Sequence, residues 1–168
     1  VLGPLLFLIY INDFPFSTEF QSFLFADDTS LFLSDQNLES LQDKAQIELN
    51  KVEVWFQANK MQINSKKTRF LIFNISKTRR SESFKLELGG ERLYRVTETA
   101  EEKSVKLVGV FLDEELSFKY HIAHIKAKLC RINYVIARSK NFLPQNIRLL
   151  IYNSLARPVM EFACVLYG

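Results

Sequence analysis

Two adjacent acids, Asp27 and Asp28, stand between two apolar runs in Ser22-Phe23-Leu24-Phe25-Ala26-Asp27-Asp28-Thr29-Ser30-Leu31-Phe32-Leu33. Flanks of that length, rich in Phe and Leu, predict the two strands of a hairpin over about Phe20–Leu33, with the carboxylates at its turn. Adjacent acids buried in an apolar setting raise each other's pKa unless a cation neutralises them. Hard divalent cations such as Mg²⁺ favour carboxylate oxygen, so the pair points to metal-assisted chemistry. The alternative is a solvated turn, where Asp is a preferred residue. His121 and His124 lie three apart on a predicted helix but have no Cys or acid at matching spacing, so a structural role is expected for them. Cys130 and Cys164 show no paired zinc spacing. Two buried, reduced thiols are expected, with one disulfide left open.

The elements that must position these residues follow from periodicity. Pro4 to about Phe14 reads as an apolar helix with Pro in its first turn. Leu38, Leu41, Ala45, Leu49, Val52 and Trp55 or Phe56 recur at helical spacing, which predicts an amphipathic helix over about Asn37–Ala58 packed on a sheet, with Trp55 as a core anchor. A turn over Asn59–Thr68 leads to a strand at Arg69–Ile75, and Ser76–Ser83 reads as an exposed basic loop. Phe84–Leu88 and Arg92–Val96 flank Gly89-Gly90, a hairpin signal. Val105–Asp113 reads as one strand, within which Gly109 would let a nucleic-acid backbone approach closely or marks an ordinary bulge. From Ser117 to about Ser139, Phe118, Ile122, Ile125, Leu129, Ile132 and Ile136 form one apolar helical face. A second helix is expected from Pro144 to Ala156, ended by Pro158 and followed by an apolar tail.

At 168 residues the chain can bury a real core, and 48% apolar residues with 15 Phe exclude a disordered segment. The apolar run Leu5–Ile11 is far short of the roughly 20 residues that a membrane helix needs. It has neither the basic leader nor the cleavage site of a signal peptide. No membrane partner is expected. The net charge of +3 conceals a strong polarity: residues 1–50 carry eight acids against one base, whereas residues 51–168 carry 21 bases against 11 acids. Between Leu116 and Met160 there are eight bases and no acid. Mixed signs serve solubility better than a purely basic face, so phosphate contact by Lys126, Lys128, Arg131 and Arg138 is the favoured reading.

Phe25-Ala26-Asp27-Asp28 resembles the catalytic hairpin of reverse transcriptases, where an aromatic residue, a variable one and two aspartates form the signature. Val1-Leu2-Gly3-Pro4-Leu5-Leu6-Phe7-Leu8-Ile9-Tyr10-Ile11-Asn12-Asp13 looks like the stretch before this hairpin in non-LTR (LINE-type), jockey-like retrotransposons. Later segments keep the family's order: the Trp55-Phe56 pair, the Asn64-x-x-Lys67-Thr68 turn, and a primer-grip-like segment at 105–113 with Leu107 where an aromatic residue is usual. The resemblance covers nearly the whole chain, which opens inside a motif and is read as a fragment of a longer reading frame.

The resemblance implies an α+β fold: the C-terminal part of a polymerase palm over 1–115, an antiparallel sheet with packed helices, followed by a thumb-like helical region over 116–168. It implies RNA-directed DNA polymerase activity by two-metal nucleotidyl transfer with Mg²⁺ or Mn²⁺. The partners would be an RNA template, a DNA primer and dNTPs. By resemblance Asp27 is the first metal ligand and Asp28 shares or tunes the site, because neighbouring strand residues face opposite ways. Phe25 is an apolar wall, and Lys67 matches a lysine proposed to protonate departing pyrophosphate, although it would equally serve as a solvated turn lysine. The family places a further metal-binding aspartate and a Pro-Gln-Gly segment upstream of Val1, so the isolated fragment is expected to be inactive without the rest of its polyprotein, which would include an endonuclease. An intracellular location with nuclear access is implied. The alternative function is a non-catalytic nucleic-acid-binding relic of a retroelement.

Overall fold

A computed structural model describes residues 2–73, 84–97 and 103–167. The backbone is mixed α+β and divides into two compact units, Val1–Ala100 and Glu101–Gly168. The loop expected at 76–83 and the end of the strand expected at 69–75 lie outside the described residues.

The first unit begins with α1 (Leu2–Tyr10), which stops four residues earlier than the apolar pattern suggests. Asp13 then opens a single 3-10 turn at Phe14–Phe16 around Pro15. That turn drives Phe14 into the core, where its ring meets Trp55 edge-on at 5.1 Å and Phe56 at 5.4 Å. Trp55 is therefore a core anchor, as its place on the helical stripe predicts. Two antiparallel strands follow, β1 (Gln21–Phe25) and β2 (Asp28–Phe32).

Asn37 caps the next helix, α2 (Leu38–Ala58), by accepting the Glu39 amide at 3.1 Å. Ala45, Leu49 and Val52 of its apolar stripe are buried among Ile72, Phe84, Leu86, Leu88 and Leu93. These come largely from β4 (Leu86–Leu88) and β5 (Glu91–Arg95), joined through Gly89 and Gly90 at φ +63° and +73°. Two consecutive positive φ values are what a tight two-residue hairpin loop requires, and glycine meets them without strain. The short β3 (Arg69–Phe70) adds parallel to β5, leaving β4 at the edge. Helix α2 satisfies that edge. Gln42 accepts the Lys85 amide at 3.1 Å, Gln46 both accepts from and donates to Glu87, and Glu53 accepts the Gly89 amide at 3.1 Å. Four helical residues rise about 6 Å and two strand residues about 6.7 Å, so helix side chains can serve alternate strand amides.

In the second unit, 105–113 is not one strand. It folds into a hairpin of β6 (Val105–Leu107) and β7 (Val110–Leu112), because Val108 and Gly109 both adopt positive φ, +45° and +91°. Asp113 then accepts the Glu115 and Ser117 amides at 3.1 Å each and the Ser117 hydroxyl at 2.9 Å, leading into α3 (Lys119–Arg138). A 3-10 turn at Ser139–Asn141 precedes α4 (Gln145–Ile151). Pro158 does not end the helical path. A π-helical segment at Tyr152–Ala156 carries it into α5 (Arg157–Glu161), with Pro158 in the first turn. Proline lacks an N–H and its ring crowds the carbonyl four residues back, and a locally widened helix relieves both. The last helix is α6 (Cys164–Tyr167).

Candidate active site

The Asp27-Asp28 hairpin is positioned by simple alternation. Strand residues point to opposite faces in turn. Leu24 and Leu31, with Leu33 just beyond β2, turn inward against the core, whereas Phe23, Phe25 and Phe32 remain 54%, 61% and 37% exposed. Phe25 pairs directly with Asp28, so Asp28 shares the outward face with the Phe25 ring, and Phe23 meets Phe32 edge-on at 5.3 Å. Ala26 and Asp27 form the two-residue loop, with Ala26 at φ +53°, a conformation that usually selects glycine or asparagine. Asp27 thereby sits at the tip.

Both aspartates are exposed, and neither carboxylate has a hydrogen-bond or ion-pair partner among the described residues. This differs from the apolar burial considered for them: the alternation that turns the partly buried Leu24 and Leu31 inward leaves the tip in water. Desolvation therefore does not compel these acids to take a cation. Two unengaged carboxylates side by side are still a suitable oxygen donor set, since Mg²⁺ is commonly held by one or two carboxylates plus substrate phosphates. Among the described residues no group of three His, Cys, Asp or Glu forms a metal cage. The two carboxylates fit an ion shared with a bound phosphate.

Lys67 occupies a turn organised by Asn64. The Asn64 carbonyl accepts the Lys67 and Thr68 amides at 3.0 Å each, and its side-chain oxygen accepts the Lys67 amide at 3.2 Å. The lysine side chain is exposed. Among the described residues no hydrogen bond or ion pair joins it to Asp27 or Asp28.

The remaining candidates lie in the second unit. Gly109 is in the β6–β7 turn, and a Cβ there would approach the Phe162 ring to 3.1 Å, so the room that glycine leaves is taken by an aromatic side chain of the same unit. Lys126, Lys128, Arg131 and Arg138 are all exposed on α3. At 3.6 residues per turn, Lys128, Arg131 and Arg138 fall within roughly 80° of one another and Lys126 roughly opposite. The Arg138 guanidinium lies 6.0 Å from the Tyr134 ring centre. Both thiols are free and exposed, contrary to the burial expected. The helix carrying Cys130 packs by a narrow stripe, and Cys130 falls outside it.

His121 is a packed, structural residue, the role its spacing suggests: it is only 2% exposed, its Nδ1 lies 3.5 Å from the Phe111 amide that donates to it, and the Tyr167 ring packs edge-on at 4.9 Å. Burial, and secondarily His124, hold its pKa below the ordinary value. One feature, Glu48, goes unread in the sequence. It is 4% exposed on α2. Its position beside Ala45, Leu49 and Val52 on the apolar stripe was the available signal.

Comparison with known proteins adds family information. Residues 1–140 match the family described as reverse transcriptase (RNA-dependent DNA polymerase). The whole chain is 26% identical to the RNA-directed DNA polymerase from mobile element jockey of Drosophila melanogaster, covering 19% of that protein. It is 25% identical to the probable RNA-directed DNA polymerase from transposon X-element of the same organism, covering 18% of it. The chain thus spans about a fifth of these relatives' length. No solved structure matches it.

Proposed function

The chain belongs to the reverse transcriptase (RNA-dependent DNA polymerase) family, and from that premise we propose that the β1–β2 hairpin is the metal-carrying element of an RNA-directed DNA polymerase. The observation that carries this reading is the pair of exposed, unengaged carboxylates at the hairpin tip, within the segment that the family matches. Asp27 and Asp28 would hold Mg²⁺ or Mn²⁺, which when bound favours deprotonation of a primer 3′-hydroxyl and stabilises charge on the phosphate under attack. Phe25, beside Asp28 on the outward face, would wall that site with an apolar ring. Lys67 would supply a proton or a positive charge as pyrophosphate departs.

The first unit would then be part of a palm, and the helices after β7 a thumb-like region. Lys128, Arg131 and Arg138 would grip template–primer phosphates, which holds a nucleic acid without reading its bases, as copying requires. RNA template, DNA primer and dNTPs are the proposed partners, and the remainder of a longer polyprotein would complete the site. Among the described residues no helix is long and apolar enough to cross a membrane.

Two carboxylates supply only part of a divalent ion's oxygen shell, so the isolated chain is expected not to extend a primer. A frame containing the residues that precede this segment is expected to extend a DNA primer on an RNA template and to lose that activity with Asp27→Ala. Extension by the isolated chain would overturn the first expectation. Full activity of the Asp27→Ala frame would overturn the assignment of the hairpin. A second reading, a nucleic-acid-binding relic, is favoured by the acid-free run from 117 to 159. It predicts salt-sensitive duplex binding that survives Asp27→Ala in a frame with no polymerase activity.

A further inference from the structure

Both legs of the β1–β2 hairpin are tied to α2 by carboxylates that have no part in the proposed chemistry. On the entry side, Glu48 accepts the Thr18 hydroxyl at 2.8 Å and the Glu19 amide at 2.7 Å through Oε2, and the Lys51 ammonium at 2.6 Å through Oε1. Glu19 lies two residues before β1. On the exit side, Asp35 lies three residues after β2 and accepts the Asn37 amide and the Ser40 hydroxyl at 3.1 Å each, together with the Lys44 ammonium. Ser40, Lys44, Glu48 and Lys51 all belong to α2.

Apolar packing of Leu24, Leu31 and Leu33 holds the hairpin to the core but is non-directional, so it tolerates sliding and tilting. Carboxylate hydrogen bonds are directional and stronger than neutral ones. Between Ser40 and Glu48, α2 rises about 12 Å, a wide base for two strands that run about 4.8 Å apart. The five residues of each strand then project the tip roughly 17 Å beyond that base. A tilt of about 3° would move the aspartates by about 1 Å, a displacement that costs a catalyst on the order of a hundredfold in rate.

We propose that Asp35 and Glu48 are positioning residues, two carboxylate clamps on α2 that set where the Asp27-Asp28 tip stands. The clamp rests on the reading of that tip as the metal-carrying element. The burial of Glu48 supports a specific task, because an apolar side chain would fill the same stripe position at no desolvation cost, whereas this carboxylate is fully engaged.

The test uses the 168-residue chain with Mn²⁺ as the probe. Glu48→Ala should raise amide exchange at 21–32 about tenfold relative to α2 and the β4–β5 hairpin, the loss expected for one or two hydrogen bonds. It should also weaken, by about tenfold, the Mn²⁺ titration read from paramagnetic broadening of the 25–29 amides. Glu48→Gln, which keeps an acceptor for Thr18 and Glu19, should recover most of both effects. Lys51→Ala removes only the exposed partner, so folding is not at stake, and it should move both readouts the same way by about two- to threefold. Hairpin exchange that stays unchanged in Glu48→Ala and Lys51→Ala, or rises equally across the unit, overturns the clamp. Absence of Mn²⁺ broadening in the unmodified chain, even with a dNTP present to supply the shared phosphate oxygens, defeats the metal reading instead, and the exchange data then still decide the clamp.

Discussion

Asp113 makes the sharpest energetic prediction, because its two oxygens have different duties. It is 5% exposed, and its carboxylate depends on protein donors, which come from the exposed residues Glu115 and Ser117. Oδ1 accepts both backbone amides, Glu115 and Ser117, whereas Oδ2, among the described residues, accepts the Ser117 hydroxyl alone. Asp113→Ala strips an acceptor from two amides and a hydroxyl at the entry to α3. Each of the three lost hydrogen bonds is worth about 0.5–1.5 kcal/mol net, and water at exposed Glu115 and Ser117 recovers part, so a net destabilisation of about 2 kcal/mol is expected. Asp113→Asn keeps the oxygen that serves both amides, and its new amide group can donate to the Ser117 hydroxyl. It should cost less than about 1 kcal/mol. Urea unfolding followed at α3 amides reads the difference. With a slope of roughly 1 kcal/mol per molar for a unit of this size, the Ala variant should lose about 2 M of midpoint and the Asn variant well under 1 M. Equal midpoints for the two variants, or an Ala loss below about 0.5 kcal/mol, would refute the division of labour between the oxygens.

Val108 holds φ +45° although it is β-branched and 50% exposed. Val108→Asn, which tolerates that conformation, should stabilise the second unit by about 1 kcal/mol and raise its thermal midpoint by several degrees, and a lower midpoint would contradict the strain assignment. His121 is held neutral by burial, and then by His124, with its pKa below the ordinary 6.5. The unfolded chain therefore binds more protons below pH 6.5, and stability of the second unit should fall as pH drops through that value. His121→Phe, facing Phe111, His124 and Tyr167, should flatten this dependence in pH-resolved denaturation, and an unchanged profile would exclude His121 as its source. Lys128→Ala with Arg131→Ala should lower the slope of log affinity against log salt by about one per residue on an RNA–DNA duplex. An unaltered slope would remove these two side chains from the phosphate contacts.

Much of the backbone is written in near neighbours. The stripe Leu38, Leu41, Ala45, Leu49, Val52 marks α2, Asn37 marks its start, and Gly89-Gly90 marks a two-residue turn; each appears where its local chemistry requires. The acid pair between two Phe- and Leu-rich runs likewise forms a hairpin with Asp27 in its loop. Local signals misled where a conformation ran against residue preference. Val108 has a strong strand propensity, yet the chain reverses there. Pro158 ordinarily ends a helix, yet a π-helical segment admits it.

The sequence by itself therefore determined the α+β class, the family, the principal helices and the position of the aspartate tip. These depend on side-chain periods and turn preferences that act over a few residues. Only the tertiary structure decided that the tip aspartates stand in water, that Glu48 is buried, and that Gln42 and Gln46 complete a sheet edge. Those outcomes depend on groups brought together across long stretches of chain: Glu48 meets Thr18 30 residues away, and Gln46 meets Glu87 41 residues away. A glutamate or glutamine in a sequence carries the capacity to accept a hydrogen bond but not the identity of the donor. Burial and partner are properties of packing, and packing exists only once the chain has folded.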